Sequence, residues 1–518
     1  VSITNTKKTA RQQALLWTPI ISALLLLVVL MGFETFFRTL LLGLPQGAMI
    51  ALIAVGYSMV YGIILLINFA HGEIFMLSAY LVLMFLWSPS DFPVRVPGAP
   101  LFVPITVAIL LSASSFVTFN TVGASTSSLR KPSLRWPLGI VAGGVVGWMA
   151  YRAFLGDAWL GALAALALCV FVGFVTYILT NKLLNSASQT ARLSITGVFV
   201  FLAFLIPFFW LRSQPFTAAV IASCFLTATI GVTLDTVAYK PLRTAPRLIP
   251  LITAIGMSIF FQSLAQTIWG AEPFTLPDET LPELFQPPQF MTEDGEFITT
   301  QWLAEKSLGE QISIGHCVIL TSIPFFEFNE PIRLPIIDLL ILGLGLFVFI
   351  GLNLLIYKTR LGKSMRACQE DKTTARLVGV NVDTVVASTF IIGSALAALV
   401  SPLWVLKYAA IEPTMGLIVG ILAFASAVLG GIGDVKGAMF GGMAIGIIYN
   451  FVPAFENLDT WAIVTYWGWM SEDTAFDIYD KYLVGLTQWR LGVAYAFMIM
   501  VIIFKPTGLF GETTAKRA

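Results

Sequence analysis

Apolar runs of roughly twenty residues recur along almost the whole chain, and no other feature constrains its fold as strongly. A run of that length matches the ~30 Å hydrocarbon thickness of a bilayer when helical, because each residue then adds ~1.5 Å. Water is absent there, so a helix, which satisfies its own amide groups, is the form such a run takes. Composition agrees: 57% of the residues are hydrophobic and 11% are charged, with a mean hydropathy of +0.85. A soluble domain carries about 25% charged residues. The chain reads as an all-α polytopic membrane protein.

Lys7, Lys8 and Arg11, in a cytoplasmic tail at 1–14, precede a first run from Leu15 to about Phe33. That run is long for a signal peptide and no A-x-A site follows, so it reads as a span with its N-terminus inside. Glu34 and Arg38, one helical turn apart, are placed to pair where it leaves the membrane. Leu41–Ile67 and Phe69–Trp87 follow, which makes 15–87 a first group of spans with a helix break at 68–73. Residues 88–214 carry four more runs, at about Leu101–Phe119, Pro137–Phe154, Trp159–Thr180 and Ser194–Leu211. Pro215–Leu234 and Leu248–Trp269 are spans of the segment 215–269. The segment 270–333 is acidic and Pro-rich, too loose on its own for an enzyme domain. Residues 334–452 hold spans at Leu334–Tyr357, Val385–Ala409, Gly416–Gly431 and Lys436–Val452, with a basic loop at 358–384. A second acidic loop covers 453–489, and the last span, Leu491–Phe504, lies with a cytoplasmic tail in 490–518.

These runs predict about 14 transmembrane helices with one large and one smaller extracytoplasmic loop. Alternation from an inside start places Arg130, Lys131 and Arg135 inside, then Lys182 and Arg192, then Lys240, Arg243 and Arg247. The loop 358–384 and the tail with Lys505, Lys516 and Arg517 also fall inside, and both acidic loops fall outside. Every basic cluster thus obeys the positive-inside rule with N-in and C-in ends.

Within the basic loop, Asp371 is placed to N-cap a short helix from Lys372 to Val378, with Arg376 near its negative end and Gly379 to close it. A short charged helix tied at both ends to membrane spans suits docking onto a cytoplasmic partner. Leu361-Gly362-Lys363-Ser364 ends like a phosphate-binding loop, but Tyr357 stands where that motif needs glycine, and a span precedes it instead of a strand. The chain therefore shows no ATP site of its own. With His71 and His316 its only histidines, and no nucleophile or metal motif, it offers no catalytic residues and no metal site, so an enzyme is not expected. Cys169, Cys224, Cys317 and Cys368 form no paired motif.

His71 and Glu73 are the sharpest ionisable pair near membrane depth. One reading is a proton relay. The other is that Asn68, His71, Gly72 and Glu73 shape a break between helices and satisfy its freed backbone groups. Tyr57 and Tyr61 lie one turn apart on the preceding span and either line a path or pack. Gly433, Gly437 and Gly441 repeat at four, as do Gly442 and Gly446, a spacing that lets helix backbones approach closely.

Four stretches, Gly47–Tyr80, Val237–Gln262, Arg360–Asp383 and Ala427–Gly442, resemble permeases of branched-chain amino acid ABC importers, the LivH type, and occur in the family's order. The resemblance implies a bacterial inner-membrane importer of two permeases, two cytoplasmic ATPase subunits and an extracytoplasmic solute-binding protein. ATP would be bound by the partner subunits, with no cofactor on this chain. It implies that Glu370, Asp371 and Gly379, with Arg376 and Asn381 beside them, contact the ATPase. Branched-chain or other apolar amino acids are the first substrate class it suggests, amides and urea the next. An ion-coupled transporter using His71 and Glu73 is the reading from another class. The chain exceeds the usual family length mainly at 88–214, where an even number of spans preserves the orientation of the flanking stretches.

Overall fold

The computed structural model describes residues 31–86, 215–275 apart from 244 and 247, 317–455 apart from 324 and 325, and 485–510, together with residues 28, 471, 473 and 474. The four runs expected within 88–214, nearly all of the first run and most of both acidic loops lie outside them. In chain order the helices are α1 (Phe33–Ile64), α2 (Ala70–Leu86), α3 (Pro215–Leu234) and α4 (Leu248–Trp269). After strands β1 (Phe274–Thr275), β2 (Cys317–Ile323) and β3 (Phe326–Pro335) come α5 (Ile336–Lys358), α6 (Arg360–Glu370), α7 (Lys372–Leu377) and α8 (Val382–Tyr408). Strand β4 (Ala410–Ile411) then leads to α9 (Met415–Gly430), α10 (Val435–Ala454) and α11 (Arg490–Phe504).

Seven helices among the described residues are long and apolar enough to cross a membrane, and two shorter apolar ones lie in α2 and α9. The protein is a mostly helical, polytopic membrane protein. It is not purely helical, however. Inside the expected acidic loop β2 and β3 form an antiparallel hairpin, Val318 opposite Leu334 and Ile319 opposite Arg333, with an irregularity between Leu320 and Ser322. The run Cys-Val-Ile-Leu-Thr-Ser-Ile is rich in residues that fit a pleated surface, a signal hidden by the acidic average of the segment.

Helix boundaries differ from expectation at two places. Glu34 and Arg38 do pair, at 4.0 Å, but on the first turns of α1 rather than at the exit of an earlier span. The first break comes at 65–69, ahead of the expected 68–73, so His71, Gly72 and Glu73 open α2.

The described residues divide between two compact units, with α1, α5 and α9 contributing to both. In the first, α10 packs on the early part of α1. Gly442 faces Ala51 and Gly446 faces Gly47 so closely that a Cβ would overlap the opposite backbone. Asn450 donates to Gln46 at 2.6 Å across the same seam. In the second unit α2, α3 and α8 pack together with α4 beside α2. Phe75, Tyr80 and Phe390 are fully buried there, and Tyr80 stacks on Trp269 at 4.5 Å. Phe274 of β1 pairs with Ile411 of β4. The candidate site lies within this second unit.

Candidate functional site

The chain turns sharply after α1. Leu65 takes φ +62°, a left-handed conformation that costs an ordinary side chain roughly 1–2 kcal/mol. His71 N then donates to Asn68 O at 3.0 Å and α2 begins. This turn places three polar side chains inside the unit instead of at its surface. Asn68, His71 and Glu73 are each 3% exposed or less. His71 packs edge-on against Tyr57 at 4.8 Å, in a slot where Gly56 leaves no room for a Cβ. The Tyr57 hydroxyl donates to Phe69 O at 3.5 Å. Glu73 Oε1 accepts from Ser258 of α4 at 3.0 Å, and Asn68 Oδ1 accepts from the Tyr239 hydroxyl at 2.6 Å. Glu73 Oε2 and Asn68 Nδ2 find no partner among the described residues. Gly72 crosses the first turn of α9 at Gly416 and Gly420, and a Cβ on it would meet the Gly416 carbonyl. Gly72 is therefore a close-packing residue of a helix crossing, not the apex of a bend.

A charged cluster stands one step along the chain from Tyr239. Helix α3 widens into a π-turn at Asp235–Tyr239 and tightens into a 3-10 turn at Lys240–Leu242. That irregular end brings Arg243 back onto Asp235. One Arg243 nitrogen donates to both Asp235 oxygens at 2.7 Å, while the other donates to Asp383 Oδ1 at 2.8 Å. Lys240 holds the second Asp383 oxygen at 3.1 Å. Asp235 is 2% exposed, so its carboxylate depends on this fork.

The expected cytoplasmic segment contains two helices, not one. Thr359 caps α6, accepting from Gly362 N at 3.1 Å, and α6 buries Gly362, Met365 and Cys368. The sequence near Leu361–Ser364 is thus helical, which removes any resemblance to a phosphate loop. Asp371 caps α7 by accepting from Thr373 N at 2.8 Å and Thr374 N at 3.2 Å, as well as from the Thr374 hydroxyl. Those hydrogen bonds, the Thr374 hydroxyl's first, hold the Asp371 carboxyl below the usual carboxylate range. Gly379, at φ +87°, closes α7 in the left-handed conformation that glycine alone takes without strain. Asn381 caps α8 by accepting from Thr384 N at 3.2 Å. Burial lowers the Lys372 ammonium's affinity for its proton, and Arg243 adds to the effect. Its Nζ donates to Ile64 O, the last carbonyl of α1, at 3.0 Å.

Placed together, Tyr57, Asn68, His71, Gly72 and Glu73 share one buried region, whereas Tyr61 is half-buried and its ring joins none of these contacts. Arg376 and Gly379 are exposed at the tip of α7, beside Leu377 and Val378 at 84% and 72% exposure, and Glu370 is exposed at the end of α6. Asp371 and Asn381 spend their side chains on capping. Gly433 lies in the turn before α10, at φ +95°, because Asp434 and not Gly433 caps that helix. Gly437 and Gly441 do face α9, at Gly430 and Ser426. Asp235, Tyr239, Ser258 and Lys372 are structural members of the region that the sequence pattern did not single out. An acidic residue inside an otherwise apolar run, Asp235, was the available signal.

Residues 186–502, more than half of the chain, match the family described as the branched-chain amino acid transport system / permease component. The chain is 26% identical over 482 residues to the high-affinity branched-chain amino acid transport system permease protein BraD of Pseudomonas aeruginosa, covering 93% of this chain and 98% of that one. It is equally 26% identical over 485 residues to LivH of Escherichia coli K12, a protein of the same description, covering 94% of this chain and 98% of LivH. A probable branched-chain amino acid transport permease of Methanocaldococcus jannaschii aligns at 29% identity over 166 residues, 32% of this chain and 45% of its own. No solved structure matches. A polytopic helical chain with a family match across its α3–α11 portion, and end-to-end similarity to two such permeases, belongs to the branched-chain amino acid transport permease family.

Proposed function

We propose that the chain is the membrane-spanning subunit of an ATP-driven importer for branched-chain or other apolar amino acids. It pairs with a second permease, couples to two cytoplasmic ATPase subunits that bind the ATP, and receives solute from an extracytoplasmic binding protein. It lies in a bacterial inner membrane with both ends inside. The observation that carries this reading is α7: a separately capped six-residue helix whose apolar tip, Leu377 and Val378, is exposed beside Arg376 and Gly379, with Glu370 exposed just before the helix begins. A monomer has no packing use for two apolar side chains so exposed, and a socket on a partner does. Asp371 and Asn381 serve the contact indirectly, by setting the helix ends. Asn68 belongs to the hinge at 65–69, and His71, Gly72 and Glu73, with Tyr57 against them, form the packed helix start beside the path that this hinge carries, since each is closed in by helices of its own unit; Tyr61 stands farther along α1 and is the better candidate for a lining residue.

Vesicle uptake of radiolabelled leucine tests the class. ATP supplied to the permease with its ATPase and binding-protein partners is expected to drive uptake, and a proton or sodium gradient without ATP is not. Uptake on a gradient alone, without the ATPase, would instead establish the ion-coupled reading centred on His71 and Glu73. Competition by aliphatic amides or urea distinguishes the alternative substrates. At the contact, Glu370→Lys and Leu377→Asp are each expected to release the ATPase while leaving membrane insertion intact.

A further inference from the structure

Two polar links, one from the first residue of α7 and one from the first turn of α8, lead to the two sides of the helix break. At its start, Lys372 Nζ holds the terminal carbonyl of α1, Ile64 O, at 3.0 Å. That carbonyl directly precedes Leu65, whose left-handed backbone begins the turn leading to Asn68. Just beyond its end, Asp383 in the first turn of α8 is gripped by Lys240 at 3.1 Å and by Arg243 at 2.8 Å. Lys240 adjoins Tyr239, whose hydroxyl donates to Asn68 Oδ1 at 2.6 Å. Arg243 also grips Asp235 at the other end of the π-turn, so one guanidinium joins that turn to Asp383. One arm runs from α7 through Lys372 to Ile64, where the break begins, and the other from α8 through Asp383, Lys240 and Tyr239 to Asn68 within it.

We infer that Lys372 and Asp383 are positioning residues that convert displacement of α7 into rotation of the 65–69 break, and so into movement of the start of α2 with His71 and Glu73. The inference rests on the ATPase-docking role proposed for α7. Packing alone would allow α7 to slide, because it is one and a half turns long and buries only Ala375. A charge-assisted hydrogen bond at its start ties it to α1, and the next helix, α8, is tied through Asp383 to the turns after α3. Leu65 stores strain in its left-handed backbone, so a rotation of the break that takes it out of that region is favoured once the Lys372 link yields.

The test reconstitutes the complete transporter with its loaded binding protein and measures leucine moved per ATP hydrolysed. Lys372→Met keeps the length of the aliphatic stem and removes the donor. It is expected to lower that ratio by about tenfold, the consequence of losing roughly one charge-assisted hydrogen bond from the coupling free energy. Lys372→Arg, which restores a donor, is expected to recover it. A merely structural role would reduce the amount of transporter and its thermal stability while leaving the ratio alone, and that outcome would overturn the inference, as would a failure of Lys372→Arg to recover. Asp383→Asn reads the same ratio from the other link if Lys372→Met prevents assembly, and an unchanged ratio there overturns the inference too. Hydrogen exchange supplies a readout without transport: the 65–69 amides are expected to change exchange on ATP addition in the wild type and not in Lys372→Met. No ATP response at 65–69 in a wild type that imports leucine would dismiss the link alone. A wild type that shows no ATP-driven import would dismiss the functional reading beneath it.

Discussion

Asp235 is a carboxylate inside an apolar span, 2% exposed, with both its oxygens held by one guanidinium nitrogen of Arg243. Breaking such a pair from one side leaves a buried charge with no compensation, which is far more costly than the pair is stabilising. Arg243→Met is therefore expected to destabilise the protein by ~3–5 kcal/mol, visible as a large drop in melting temperature in detergent. Restoring charge with lysine at the same position should recover only part of the loss, because an ammonium cannot serve Asp235 and Asp383 with a planar fork. Removing both charges together, Asp235→Leu with Arg243→Met, is expected to cost less than Arg243→Met alone. A double variant that is as unstable as the sum of the two singles would show that the residues do not act as a pair. At this scale the sequence was legible in residue type but not in partner. The 171 positions between Asn68 and Tyr239 and the 140 between Arg243 and Asp383 carry no local trace of the contacts that the packing of α2, α3 and α8 creates.

Elements were legible wherever a local signal set them. The apolar runs at Pro215–Leu234 and Leu248–Trp269 coincide with α3 and α4, because length and hydropathy are all a span requires. The α7 caps were equally readable: Asp371 before the helix and Gly379 after it are choices made by backbone geometry alone. Helix α6 was missed because its high charge resembles a loop, and only its buried stripe of Gly362, Met365 and Cys368 reveals an apolar face. The break was misplaced for the opposite reason. Its polar residues belong to the buried start of α2, while Leu65, which actually turns the chain, is apolar. The Asp371 cap also has a pH signature. Its folded pKa lies below the unfolded value of about 3.9, so its contribution is fully present above that pH and is lost as pH falls through the depressed folded value. Protection of the Thr373 and Thr374 amides against exchange is expected to fall in acid below about pH 4. Asp371→Asn, which caps without ionising, is expected to remove that acid dependence. Unaltered acid sensitivity in the asparagine variant would assign the effect to another group.

For the whole molecule the decisive property is sidedness. Helix α5 runs from Ile336 to Lys358 with a mean hydropathy of 2.7 in its span, and it directly follows the β2–β3 hairpin and directly precedes α6 and α7. If α5 crosses the membrane once, the chain before it and the chain after it leave on opposite faces, whatever the number of spans at 88–214. By the positive-inside rule, the surplus of lysine and arginine between Lys358 and Arg376 makes the cytoplasm the face we propose for α7 and the outside the face we propose for the acidic segment. Thr321 is exposed in β2 and Leu377 is exposed in α7, so each reports one face through a cysteine introduced on a chain lacking Cys169, Cys224, Cys317 and Cys368. A membrane-impermeant maleimide is expected to label Thr321→Cys in intact spheroplasts and Leu377→Cys only in inverted vesicles. Equal labelling of both from one side would mean that α5 does not cross the membrane, and with it would fall the cytoplasmic placement of α7 on which ATPase docking depends. Labelling of Leu377→Cys from inverted vesicles that is blocked when the ATPase is bound would join orientation and docking in one measurement, because the same side chain would be both accessible on the predicted face and covered by the predicted partner.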